Sequence, residues 1–355
     1  MAKKQNNQPE TVQDNKPNAH EPITNELSSN TKKTMVTRII SSIVGLAIII
    51  PVIFLGDWIF FIAITIFLAI ASWEILGCAR RRTVFIFIVY FLFIALITYW
   101  PLLKTLVING ADLGKVDNYY QSIYLSVLVI SLGIFLLFGL TVIYKDFTVQ
   151  DASFLLAMGV LIGLGFQSLF YLRYFPMTAF HVTETAPWTF TVDNTIKPSL
   201  LILFVIAATF LTDGGAYFVG VFFGKNKMNE RISPKKTWEG FVGGIVISFV
   251  LSFTIAMIFA ACNYPLHPSL TLDKWYYILA LSLLIPVFAT LGDFVFSSIK
   301  RAYGIKDYGA LIPGHGGVLD RLDSVFFAAI ISAVFIFMLT NITESTGLDW
   351  SKFLV

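Results

Sequence analysis

Residues 275–300 read WYYILALSLLIPVFATLGDFVFSSIK. No charged residue occurs in this stretch before Asp293. A helix crosses the hydrocarbon core of a bilayer with about 20 apolar residues. Backbone polar groups in lipid must be satisfied within the segment, so the stretch predicts a spanning helix over 275–298. Its end is not apolar. Asp293, Ser297 and Lys300 fall at i, i+4 and i+7 and share one helix face, while Phe294, Val295 and Phe296 fill the others. A carboxylate, a hydroxyl and an ammonium therefore point into one cavity.

Outward from this helix, runs of similar length recur at 38–56, 58–77, 84–103, 122–144, 153–173, 199–222, 241–262 and 324–341. With 275–298 they make about nine transmembrane helices, and the fold class is an all-α, polytopic membrane helix bundle. The first two runs are separated only by Gly56 and Asp57. The composition agrees: 56% of the chain is hydrophobic and 13% charged, against roughly a quarter charged in soluble domains. A strand barrel is excluded, because it needs alternating apolarity in runs of about ten residues. The two cysteines, Cys78 and Cys262, have neither metal-ligand nor redox spacing and read as packing residues.

Residues 1–36 are polar and predict a disordered N-terminal tail, since they cannot bury enough apolar surface to offset their ordering entropy. Residues 37–345 form the transmembrane domain, with a chemically distinct half at about 199–341, and 346–355 a short C-terminal tail. Lys and Arg concentrate in cytosolic loops of membrane proteins. With the N-terminus in the cytosol, 19 of the 25 Lys and Arg fall on the inside; the opposite orientation inverts the ratio. This places the loops at about 223–240 and 300–323 on the cytosolic face, and the chemistry with them.

Ionisable side chains inside a span cost several kcal/mol unless they face a partner or water. Asp213, in Thr212-Asp213-Gly214-Gly215-Ala216-Tyr217, and Asp293 break the apolar pattern. Each reads either as a helix lock or as part of a substrate site. The loop after the eighth span runs Lys306-Asp307-Tyr308-Gly309, then Pro313-Gly314-His315-Gly316-Gly317, then Asp320-Arg321-Leu322-Asp323. Gly314, Gly316 and Gly317 let backbone approach a ligand closely. Asp320 and Asp323, at i and i+3, face one side of the ninth helix; they suit capping and pairing with Arg321, or metal binding. With Asp293 they make three carboxylates near one opening, a donor set for a hard divalent cation such as Mg²⁺. Cys and His clusters for zinc are absent. His315 stands open between a structural role and catalysis or phosphate contact. The other loop holds Lys225, Lys227 and the compact set Ser233-Pro234-Lys235-Lys236-Thr237-Trp238-Glu239-Gly240. Its cations suit anchoring to anionic lipid. Beside metal carboxylates they are also the parts of a phosphoryl-type transfer site.

The stretch Ser297 to Asp323 closely resembles the signature of the phosphatidate cytidylyltransferases: Ser297, then Lys300-Arg301, Lys306-Asp307, Gly309, Pro313-Gly314-His315-Gly316-Gly317 and Asp320-Arg321-Leu322-Asp323. Asp213 to Tyr217 and Ser233 to Gly240 also look like motifs of that family. The resemblance is strong over roughly 200–330 and rests on hydropathy alone before that. It implies a nucleotidyl transfer in phospholipid biosynthesis, in which phosphatidic acid attacks the α-phosphate of CTP. It further implies a helical bundle, a homodimer, and a polar cavity open to the cytosol. Asp293 and Asp320 become the first candidates for metal ligands, with Asp323 beside them, and a monovalent cation such as K⁺ can share the site. Lys300, Arg301, Lys235 and Lys236 become candidates for the phosphates. Asp213, Lys225, Ser233, Ser297, Lys306, Asp307, Gly316, Gly317 and Arg321 complete the expected substrate contacts. No general base is implied, because the attacking phosphate oxygen is already anionic; this weakens the case for His315 as a base. Nucleic acid is not an expected partner. A related transferase acting on another lipid is the near alternative. A transporter is disfavoured, because no internal repeat or paired helix break is present.

Overall fold

The computed structural model describes residues 29–55, 57–100, 117–174, 198–314 and 316–346. Most of the N-terminal tail, Gly56, residues 101–116 and 175–197, His315 and the C-terminal residues from 347 lie beyond these.

Nine α-helices carry the described chain: α1 (Ser29–Leu55), α2 (Asp57–Cys78), α3 (Val84–Thr98), α4 (Asp117–Ile143), α5 (Val149–Tyr174), α6 (Pro198–Phe223), α7 (Trp238–Ala261), α8 (Trp275–Ala302) and α9 (Leu319–Thr346). They coincide with the nine apolar runs, and the fold is an all-α membrane bundle. Helix α1 begins at Ser29, inside the stretch expected to be tail. Six of the helices, α2 and α5 to α9, are long and apolar enough to span a membrane. The 15 residues of α3 rise about 22 Å, short of a hydrocarbon core of about 30 Å.

The bundle has two parts. Helices α6 to α9 pack on one another, and α5 bridges them to α2, α3 and α4. At the bridge Phe166 of α5 meets Phe326 of α9 edge-on at 4.9 Å. The close approach needs Gly165, where a Cβ would stand 2.5 Å from the Phe326 ring. The tightest seam joins α6 and α7. The buried positions of α7 are Gly240, Gly244, Ser248, Ser252, Ala256 and Ala260, one small residue every four. Small residues let helix backbones approach closely in lipid, where burial of apolar surface gives no driving force. A Cβ on Gly244 would lie 2.8 Å from both the Ala216 Cβ and the Thr212 carbonyl. The other faces of α7 show Val242, Val246, Val250 and Leu251 outward, as a lipid-facing helix does.

A two-stranded antiparallel hairpin, β1 (Lys227–Asn229) and β2 (Ser233–Thr237), links α6 to α7. From sequence alone this segment reads as a compact polar set, and the strands are not anticipated. Thr237 ends β2 and caps α7, its hydroxyl accepting from the Gly240 N–H at 3.2 Å. The Glu239 carboxylate accepts from the N–H groups of Lys225 and Asn226 and, at 2.7 Å, from Asn226 Nδ2. The hairpin is thereby closed onto the start of α7.

Four connections meet at one end of the bundle. Arg81 pairs with Asp151 at the start of α5 at 2.9 Å. Phe154 of α5 packs on Tyr303 at 4.4 Å. Arg301 donates to the Ile232 carbonyl of the hairpin at 3.2 Å. Glu74 of α2 receives N–H groups from the start of α9. The polar loops flanking α7, α8 and α9 thus share one end.

Candidate active site

Asp293 lies in the last third of α8. Its Oδ1 accepts the Ser297 hydroxyl at 3.1 Å, the i to i+4 contact expected of one helix face. Its Oδ2 meets the Lys236 ammonium. Lys236 arrives from β2, where side chains alternate between faces. The alternation separates two cations expected to act together: Lys236 turns in to Asp293 and Lys235 is exposed.

A second ion pair lies deeper. Lys300, Asp320 and Asp323 are 7%, 6% and 8% exposed. The Lys300 ammonium is 2.8 Å from Asp320 and 3.8 Å from Asp323, so the i, i+3 carboxylates do face one side. Asp320 Oδ2 accepts the N–H groups of Tyr308 at 2.8 Å and Gly317 at 3.0 Å. The capping reading of Asp320 is therefore realised, with Lys300 rather than Arg321 as its ionic partner. Gly316 has φ +89°, and a Cβ there would stand 3.0 Å from Asp320 Oδ2. Backbone conformation and space both require glycine at that position. The Tyr308 hydroxyl donates to the Phe296 carbonyl at 3.1 Å. Burial pushes this phenol well above its ordinary range, so it remains a donor.

The two pairs are one cluster. The charges of Asp293, Lys236 and Arg321 act on Asp213 of α6, which lies beside Ser324; Asp293, Lys300 and Asp213 act on Asp323. Three helices and one strand thus converge four carboxylates, two ammonium groups and a guanidinium. With all of them ionised the cluster is about one charge negative. A polyphosphate approaching it meets repulsion on the order of kcal/mol per charge pair unless a further cation joins.

The donors fit such a cation in kind. Oxygen ligands suit a hard divalent ion. They are not preassembled: among the described residues no three Asp, Glu, His or Cys side chains form a ready metal cage. In their place Lys236 sits on Asp293 and Lys300 on Asp320.

Several expected contacts are exposed or bonded to backbone rather than to the carboxylates. Lys225 and Lys306 are exposed, and Ser233 is engaged in the hairpin register opposite Asn229. Arg301 is exposed, its guanidinium bonding the Ile232 and Ile305 carbonyls. Asp307 is exposed at the edge of the loop, its Cβ near Gly316. Sequence reasoning misses one residue. Glu74 of α2 is 3% exposed and accepts the Val318 N–H and the Leu319 N–H, each at 2.9 Å. The signal is present, since Glu74 is an ionisable residue within the second apolar run, like Asp213 and Asp293 within theirs.

The sequence model of the cytidylyltransferase family matches residues 36–339. A phosphatidate cytidylyltransferase of Bacillus subtilis is 35% identical over 212 residues, covering 59% of this chain and 68% of that relative. Those of Staphylococcus saprophyticus and Staphylococcus haemolyticus are 36% and 34% identical over 194 residues, covering 54% of this chain and 62% of each relative.

Proposed function

The chain belongs to the cytidylyltransferase family, and on that premise we propose that it is a phosphatidate cytidylyltransferase of the cell membrane, working from the cytosolic side. The observation that carries the reading is the cluster itself: the residues of the Ser297–Asp323 signature fold onto Asp213 and Lys236 from two other elements. A phosphate oxygen of phosphatidic acid attacks the α-phosphorus of CTP. The new P–O bond forms as the bond between the α-phosphorus and its bridging oxygen breaks, and pyrophosphate leaves with the electron pair. The nucleophile is anionic at neutral pH, so no side chain needs to remove a proton.

Lys236 and Lys300 supply positive charge at the aqueous end of α8, where the incoming phosphates require it. Ser297 and Lys236 orient the Asp293 carboxylate from both of its oxygens. Asp293, Asp320 and Asp323 are the residues we propose hold Mg²⁺, with K⁺ as a second ion. When bound, the ion neutralises phosphate oxygens and reverses the negative balance of the cluster. The family resemblance supports a homodimer, and the Lys and Arg bias supports the cytosolic placement of residues 1–36.

The test is formation of CDP-diacylglycerol from labelled CTP by the purified protein in detergent, with phosphatidic acid and polyprenyl phosphate in competition. Product with phosphatidic acid supports the reading. Transfer only to the polyprenyl substrate, or none to either lipid by folded protein, overturns it. Asp293→Asn and Asp320→Asn are each expected to lower turnover by ~100-fold, the scale of losing one preorganised charge at a reacting phosphate. Near-normal rates for both at low Mg²⁺ would remove the metal assignment.

A further inference from the structure

Helix α9 has no capping side chain just before its first residue. Its first four N–H groups lack intrahelical acceptors, and such positions are ordinarily served by Ser, Thr, Asp or Asn just before the helix. Here the preceding residues are Gly317 and Val318, which offer no side-chain acceptor. The amides of Gly317, just before the helix, and of Val318 and Leu319, at its start, are instead divided between two carboxylates. Asp320 folds back to take Gly317. Glu74, some 244 residues earlier in the chain, takes Val318 on Oε1 and Leu319 on Oε2. The loop is shaped around this group. A Cβ on Gly317 would stand 2.4 Å from Glu74 Oε1 and one on Gly309 2.5 Å from it.

We propose that Glu74 is a positioning residue for cytidylyl transfer: it clamps the backbone at 317–319 so that Asp320 holds its place against Lys300. The proposal rests on the function proposed above. Both Glu74 oxygens accept, so Gln cannot replace it. The amide NH₂ of Gln would face an N–H group, and one of the two bonds would be lost. Asp is one methylene shorter and draws back from both amides.

The carboxylate is distant from the reacting phosphates in role, because it touches only backbone. Its loss therefore misplaces Asp320 through the backbone, with no side chain of its own withdrawn from substrate. Glu74→Gln is expected to lower kcat by about tenfold or more with KM for CTP little changed, the signature of a group felt in the transition state. Gly317→Ala, which leaves Glu74 in place, should also lower kcat, by steric overlap. Glu74→Asp withdraws the carboxylate oxygen that the methyl group added by Gly317→Ala would strike. The Glu74→Asp, Gly317→Ala double variant should therefore lose less than the product of its two single losses.

A readout independent of turnover is amide hydrogen exchange in the full protein. Peptides covering 316–322 should exchange faster in Glu74→Gln, while those of α6 and α7 keep their protection. Unchanged exchange at 316–322 overturns the clamp, whatever the enzyme's substrate proves to be. Faster exchange with wild-type kcat in an active enzyme overturns the positioning role. Strictly multiplicative losses in the double variant overturn the shared contact.

Discussion

Lys236 and Lys300 both neutralise an aspartate of the cluster, yet their substitution has different consequences. The Lys300 side chain is 9% exposed and that of Asp320 2%. Lys300→Met would strand two buried carboxylates, and removing one partner of a buried pair costs about 3–5 kcal/mol. The Lys236 and Asp293 side chains are 30% and 23% exposed. Solvent screens this pair, so Lys236→Met should cost stability no more than about 1 kcal/mol. Under the proposed function its effect falls on CTP binding, as a lost contact to phosphate. Thermal unfolding in detergent beside CTP titrations separates the two variants: a large loss of stability for Lys300→Met, and a raised KM for CTP with a near-normal unfolding temperature for Lys236→Met. Equal stability losses would mean that burial does not distinguish the pairs. Counting residues along α8 places Asp293, Ser297 and Lys300 on one face. Counting alone does not show that Lys300 turns away from Asp293 toward α9, because that choice depends on a helix that begins only after the intervening loop.

Among the elements, the α6–α7 seam sets where Asp213 stands. Thr212 and Ala216 touch Gly244 across the seam, and Ser248 donates to the Ala208 carbonyl at 2.8 Å. Both contacts bracket Asp213 within about one turn of α6 on either side. Gly244→Ala overpacks against backbone and is expected to cost about 1–3 kcal/mol. Gly139→Ala, where a Cβ would meet nothing within 4 Å, serves as its control. If the seam positions Asp213, Gly244→Ala should also lower turnover beyond what its folded fraction explains; activity per folded molecule equal to that of Gly139→Ala would detach the seam from the site. The four-residue spacing of small residues in α7 can be read from the sequence once α6 is known to be its partner. The hairpin could not be read the same way. Strands of three and five residues carry too few positions to establish an alternation. Glu74 belongs with the hairpin in this respect: its carboxylate is visible as an anomaly, but its partners are backbone amides, which no side-chain pattern announces.

At the scale of the whole molecule, nearly everything legible comes from solvent. Apolar runs long enough to cross lipid fix the helices, because a bilayer leaves backbone no other way to satisfy itself. Charge bias then sorts the loops to one end, and the structure gathers those loops around the cluster. The side of the membrane on which that end lies follows from the same bias and is directly measurable. Helix α7 runs 24 residues, so its ends are about 36 Å apart, enough to reach both faces. The hairpin with Lys227 precedes its first end, beside Lys236 and Asp293. Cys262, exposed, caps the other, and Cys78 is buried. The proposed function places the site on the cytosolic face, where the Lys and Arg bias puts these loops. In intact cells an impermeant maleimide should label Cys262 in the unmodified protein. Lys227→Cys, introduced with Cys262→Ser, should label only after the cells are permeabilised. The opposite pattern would put the carboxylate cluster on the opposite face. It would then overturn the cytosolic reading of the site, while leaving the helix bundle as it stands.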